Sequence, residues 1–143
     1  MELKNRRRFL GYLAGSLGAM AASGLFWMVQ RVEPQGPYQV VDQRELAIGG
    51  LGLFISVDRG LPRESLRAVG HGLLKQFRQQ PNVVVMVFDD PEAARTVRKG
   101  SRVVGEEPFQ NALSHQVAFY LKDSRTGQHA LTIYGKPQEV VQY

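Results

Sequence analysis

The sequence predicts an N-terminal transmembrane helix followed by one two-layer α+β or α/β domain with a mixed sheet, in the order ββαβαββ. Three observations predict this class. An uncharged run at 9–29 follows a basic cap at 1–8. A valine-rich run at 83–88 has the length and composition of a strand buried on both sides. Helical and strand periodicities alternate along 38–143, after a linker at 30–37 that contains two prolines.

The run at 9–29 has the length of a membrane span. Its 21 residues would form a helix of about 31 Å, close to the roughly 30 Å hydrocarbon core of a bilayer. Arginines crowd its N-terminal side, and Trp27 would lie at the far interface. We therefore expect a cytoplasmic N-terminus, with the domain on the periplasmic or lumenal side.

Small residues recur every four positions along this run, at Gly11, Gly15, Ala19 and Ser23. Such rows let two helix backbones approach closely within a bilayer. The row predicts packing against helices of a protein partner in the membrane. The alternative is that small residues only keep an export signal weakly hydrophobic.

The residues just before the run carry an export motif. Arg6 and Arg7, one further residue, then Phe9 and Leu10 resemble the core of a twin-arginine export signal. Gly11 stands where a lysine is often found. The resemblance covers about 30 residues and implies transport across a membrane.

A competing fate for the leader is cleavage. Ala19-Met20-Ala21 is a small-residue site of the kind that signal peptidase cuts. Cutting after Ala21 would release a soluble periplasmic protein that begins at Ala22. Because the apolar run continues past this site to Val29, we favour the retained anchor.

Charge and cysteine content exclude several classes. Residues 1–31 hold five basic residues and one acidic residue, while 32–143 hold 13 basic and 12 acidic residues. The net charge of +5 therefore belongs mostly to the leader, and we expect no nucleic-acid binding. The chain has no cysteine, which excludes disulfides, a lipid-modified cysteine and zinc–thiolate sites.

The domain is expected to alternate strands and helices. The second and third strands should be parallel through a right-handed crossover. The predicted elements are a strand starting at Tyr38, a glycine turn at 48–52, a strand at 51–57, a helix at 63–79, a strand at 83–88, a helix from Pro91 to near Gly100 capped by Asp90, a loop to Ala112, and hairpin strands at 116–122 and 129–134.

Residues 38–94 also resemble small bacterial α/β domains of unknown function, through the first strands and the segment Asp89-Asp90-Pro91-Glu92. This resemblance implies a fold and no activity.

Three carboxylates are the candidate site. Asp58, Asp89 and Asp90 follow the two strands that should be parallel, so they should share one sheet edge, where open α/β sheets bind ligands. Oxygen ligands there would suit Mg²⁺ or Ca²⁺. The competing explanation is structural, with Asp90 as a helix cap and Asp58 as a turn residue.

Other polar groups receive a structural or surface interpretation. His71, His115 and His129 lack metal-ligand spacing and are expected to be structural or on the surface. If the helix that begins at Pro91 continued past Gly100, four basic residues would share one of its faces: Arg95, Arg98, Lys99 and Arg102. Four tyrosines are also expected to be exposed: Tyr38, Tyr120, Tyr134 and Tyr143.

The sequence thus predicts a membrane-anchored, non-catalytic accessory or structural subunit of a membrane protein complex, with no cofactor. Two alternatives remain. One is a cleaved soluble periplasmic binding protein, and the other is a metal-dependent hydrolase that uses Asp58, Asp89 and Asp90.

Overall fold

The structure, a computed structural model, describes Glu33 and residues 36–143. The predictions for residues 1–31 therefore lie outside the described residues. They are the membrane span, the cleavage site at Ala21, the export motif of Arg6, Arg7, Phe9 and Leu10, and the small-residue row of Gly11, Gly15, Ala19 and Ser23. Among the described residues, no helix is long and apolar enough to cross a membrane.

The described residues form an α+β domain built on a six-stranded mixed sheet. The spatial order of its strands is their order in the chain. The strands are β1 (Gln39–Glu45), β2 (Leu51–Ser56), β3 (Asn82–Phe88), β4 (Gln116–Asp123), β5 (Gln128–Ile133) and β6 (Glu139–Gln142). The helices are α1 (Arg63–Gln76), α2 (Pro91–Lys99), α3 (Ser101–Val104) and α4 (Glu106–Leu113).

The parallel pair that the sequence predicts is confirmed. β2 and β3 pair in parallel from Leu51 opposite Val83 to Ser56 opposite Phe88, and every other neighbouring pair is antiparallel. β3 is buried almost throughout, as its continuous run of valines predicts.

The number of layers differs from the prediction. One apolar cluster joins α1 to one sheet face through residues such as Leu73, Val85 and Leu131. A second cluster joins α2 and α4 to the opposite face through Phe54 and Phe88. Helices therefore cover both faces, and the two-layer expectation is wrong.

The segment after Gly100 also differs from the prediction, because the expected loop to Ala112 contains α3 and α4. Gly100 and Gly105 have φ values of 84° and 92° and separate the short helices. Phe109, Ala112 and Leu113 of α4 are buried against α2 and the sheet, which stabilises a helix too short to be stable alone.

The remaining elements follow local signals. Asp90 caps α2 and Pro91 occupies its first turn, as predicted. The expected hairpin is present as β4 and β5, and the tail adds β6. Asn82 links two turns, since its amide donates to the Gly49 carbonyl at 3.0 Å and its oxygen accepts from the Ser124 N–H at 3.1 Å.

Helix α1 packs very closely, at Gly70, against β5 and against Tyr143, which follows β6. A methyl group there would meet the Tyr143 hydroxyl and stand 2.7 Å from Cδ2 of Leu131. Arg67 of α1 also binds both carboxylate oxygens of Glu139, at 2.6 and 2.9 Å. The C-terminal strand is thus fixed to α1 as well as to β5.

We predict that Gly70→Ala destabilises the protein. In an exposed helix interior this change stabilises by about 1 kcal/mol, but here overpacking costs about 1–3 kcal/mol. Adding Tyr143→Phe removes the obstructing hydroxyl and should restore part of the loss. Urea denaturation measures both variants, with Lys75→Ala on the exposed side of α1 as control. A Gly70→Ala variant more stable than the parent would contradict the close packing.

Candidate functional site

The candidate site lies at the carboxyl edge of the parallel strands. After β2 the chain turns to α1 on one face, and after β3 it turns to α2 on the other face. Divergence of two neighbouring parallel strands opens a crevice that binds ligands in open α/β sheets. β4 starts at the same edge because it is antiparallel to β3, so it brings His115 to Asp89.

Asp89 and His115 form the central pair of this edge. Nδ1 of His115 lies 2.8 Å from Oδ1 of Asp89, and the Asp89 N–H donates to the His115 carbonyl at 3.0 Å. The carboxylate favours the imidazole tautomer with its proton on Nδ1, which leaves Nε2 as an acceptor. With 37 % of the His115 side chain exposed, its Nε2 can accept a hydrogen bond from a bound molecule.

Asp90 serves α2. Its Oδ1 accepts from the N–H groups of Glu92 at 2.8 Å and Ala93 at 3.4 Å, and its Oδ2 lies 3.5 Å from Arg59. The bond from the Glu92 N–H is the main cause that lowers the Asp90 pKa, ahead of smaller contributions from Ala93, His115 and Arg59. The carboxylate is held ionised as a helix cap, as the competing explanation in the sequence predicts.

The third candidate, Asp58, is exposed in the turn before α1, where its carbonyl accepts from the Leu61 N–H at 3.2 Å. Among the described residues, no group of three or more His, Asp or Glu side chains is placed to hold a metal ion. The structure pairs Asp89 with His115 instead, across 26 positions. No sequence spacing signals that pair.

A second polar cluster lies between α1 and the sheet, around Tyr120. Its hydroxyl is 2.8 Å from Nε2 of His129. The Tyr143 ring packs at a tilt against both Tyr120 and His129, and the His71 ring meets Tyr143 edge-on. Burial raises the pKa of Tyr120 to about 12, and burial also lowers the pKa of His129. Both shifts favour the neutral forms, in which the hydroxyl donates to the imidazole.

This cluster corrects the prediction of exposed tyrosines. Tyr38 and Tyr120 are buried at 5 % and 0 % exposure, and Tyr134 and Tyr143 are half-buried. Tyr120 belongs to the core because β4 is central in the sheet and α1 covers that face. The Tyr143 hydroxyl is buried without a hydrogen-bond partner in the described part of the chain.

The continuous basic face is also absent from the described helices. α2 ends at Lys99, and Arg102 lies on the separate helix α3. Arg98 pairs with Asp42 of β1 at 2.8 Å, and Arg95 pairs with Glu92. These arginines support local structure.

Comparison of the chain with protein-family models, with curated proteins and with solved structures finds no match in any of the three.

We predict that Asp90→Ala lowers the free energy of unfolding by about 1 kcal/mol at pH 7, the usual loss on removing an N-cap side chain. Because the folded pKa of Asp90 is lowered, its contribution to stability is present above the unfolded pKa of about 3.9 and declines as the pH falls through the folded pKa. Urea denaturation at pH 7 and at low pH measures this. Asp90→Asn, which keeps the cap, is the control, and a loss independent of pH would contradict the assignment.

We also predict that Mg²⁺, Ca²⁺ and Mn²⁺ leave the melting temperature unchanged in thermal-shift titrations. The reason is that Asp89 and Asp90 already hold protein partners. The matched control is the double variant Asp58→Asn/Asp89→Asn. A stabilisation that is present in the parent and lost in this variant would establish the metal site.

Proposed function

We propose that the chain is a membrane-anchored accessory subunit of a membrane protein complex, with its domain on the periplasmic or lumenal side. The observation that carries this proposal is the uncharged run at 9–29, with arginines before it and small residues along it. In this arrangement the helix packs on partner helices, and the domain lies on the extracytoplasmic face of the same assembly.

Contacts of Glu33 and Tyr38 with α1 support a short connection between the proposed membrane helix and the domain. The Glu33 carbonyl accepts from the Gln76 amide at 2.9 Å, at the end of α1. Tyr38 donates from its hydroxyl to the same Gln76 side chain, at 2.5 Å. Glu33 is four positions past Val29, a reach of at most about 14 Å. A domain attached so closely is suited to contact proteins or lipids near the end of the helix.

The polar groups of the domain support a binding or structural role. Asp90 caps a helix, Glu139 joins α1 to β6, and Tyr120 with His129 fills the space beneath α1. Each of these ionisable groups has a partner that accounts for its position in the fold.

A second candidate is the cleaved periplasmic binding protein. The half-exposed Asp89–His115 pair favours it, because this pair lies where open sheets bind small ligands. Arg59 beside Asp90 adds a cation there, at 69 % side-chain exposure. A small polar molecule with both donor and acceptor groups fits this edge.

Sequencing of the mature N-terminus separates the two candidates. We expect the chain purified from membranes to retain its leader and to resist extraction with alkaline carbonate. A mature chain that begins at Ala22 and is recovered from the soluble fraction would reject the anchor. Leu17→Arg within the run is a useful variant, because a charge at this depth opposes membrane insertion.

Native electrophoresis of gently solubilised membranes tests the partner complex. We expect the chain to migrate with a larger assembly, and we expect Gly15→Leu in the small-residue row to weaken that association. Leu13→Ile, which adds no bulk, is the matched control. Migration of the parent at the mass of the chain alone would reject the accessory role.

A further inference from the structure

The two edges of the sheet are built differently. β1 has a bulge between Val40 and Asp42 and carries Asp42, Arg44 and Glu45. Bulges and charges are common devices that prevent an edge strand from pairing with another chain. β6 has no irregularity in its register with β5 and one charged residue, Glu139, which Arg67 holds toward α1. The β6 edge is short, at four residues, but it lacks the bulge of β1 and two of its three charges.

The hydrogen bonds between β6 and β5 decide which backbone N–H and C=O groups of β6 point away from the sheet. The Tyr143 N–H donates to the His129 carbonyl at 2.9 Å. Since antiparallel partners alternate between bonded and non-bonded pairs, Val141 and Glu139 also bond to β5. The N–H and C=O groups of Val140 and Gln142 then point away from the sheet. The Val140 side chain beside them is 50 % exposed.

We propose that β6 pairs antiparallel with β6 of a second copy of this chain. A two-fold axis perpendicular to the sheet passes between the two Val141 residues. In this register Val140 of each copy lies opposite Gln142 of the other, and four hydrogen bonds use every outward backbone group of these residues. The result is a continuous sheet of twelve strands, with an isologous interface.

Charge and face both agree with a second copy as the occupant. β6 carries one charged side chain, that of Glu139. This register places Glu139 opposite Tyr143 of the other copy, so the Glu139 side chains of the two copies do not face each other. The two-fold axis keeps Val141 on the α1 side and Val140 on the opposite side in both copies. Residues that meet therefore share a face, as antiparallel pairing requires.

The small contact area sets the condition under which the pair forms. Four residues at about 3.3 Å each give an edge of about 13 Å. Such an edge buries far less than the about 800 Å² per partner of a stable interface. Anchoring in one bilayer raises the effective concentration of the copies and compensates for this. The strength of the pair thus rests on the proposed anchor, while its register rests on the described domain.

Disulfide cross-linking tests the register directly, because the chain has no native cysteine. Val140→Cys and Gln142→Cys forms of the full chain, with tags of different size, are mixed in phosphatidylcholine vesicles and mildly oxidised. We expect the mixed dimer to exceed either self-dimer at least threefold. Gln39→Cys, exposed on β1, is the matched control. Equal yields in all mixtures, or yields no higher than with Gln39→Cys, would overturn the proposal.

A proline variant tests the hydrogen bonds. Val140→Pro removes an outward N–H and leaves the bonds to β5 intact, as edge strands tolerate. We expect energy transfer between labelled full-length copies in vesicles to fall to the level of an unrelated anchored protein, with the melting temperature nearly unchanged. If this variant fails to fold, Gln142→Pro removes the second outward donor. Unchanged energy transfer in a folded proline variant would overturn the pairing.

These experiments distinguish a chain whose leader is cleaved from an anchored chain whose β6 strands do not pair. A cleaved chain would be lost from the vesicle fraction, and its N-terminus would be Ala22. A chain that stays in the vesicles without cross-linking would overturn the β6 pair alone. Capture of β6 by a strand of another protein is the alternative outcome, in which the purified chain stays monomeric in vesicles.

Discussion

The parallel pairing of β2 with β3 is the constraint on which the rest of the domain depends. A parallel pair cannot be closed by a tight turn, so the chain must cross over, and α1 is that connection. The crossover places α1 on one face. The chain leaving β3 then passes to the opposite face and returns antiparallel as β4. Both faces of β3 are consequently covered, which is why its interior positions are valine and methionine.

α1 determines the position of the C-terminal strand. Its N-terminal half holds Glu139 through Arg67, and Gly70 lies against Tyr143 without an intervening side chain. Arg63 donates to the Pro137 carbonyl in the connection before β6. These contacts turn Glu139, Val141 and Tyr143 toward the helix and leave Val140 on the other side. One crossover helix thus organises both the centre and one edge of the sheet.

The sequence predicts the elements whose signals are local. The valine run of β3, the Asp90–Pro91 helix start and the β4–β5 hairpin are each confirmed. The sequence does not predict α4, because Gly105 and Pro108 interrupt the helical pattern and the eight-residue helix depends on the burial of Phe109 in the second core cluster. The sequence does not predict β6 either, because four residues after a proline are too few to show a strand periodicity. The error in layer number concerns α2, which the sequence predicts as a helix but whose sheet face is decided by its packing in the second core cluster.

The candidate site was predictable only in part, for the same reason. Asp90 is a local cap and can be recognised from its neighbours, whereas Asp89 and His115 meet through the pairing of β3 with β4. Tyr120 resembles any surface tyrosine of an alternating strand until the position of α1 is known. Charge, burial and partner choice at these residues are properties of the assembled sheet.

The hydrogen bond between Glu33 and Gln76 has a mechanical consequence. Tension on the chain ahead of Gly36 reaches the Gln76 side chain of α1 before it reaches the β1 ladder, because Glu33 and Tyr38 both bind that side chain. A pull from the N-terminal side therefore has to break the two hydrogen bonds to Gln76 in addition to the ladder between β1 and β2.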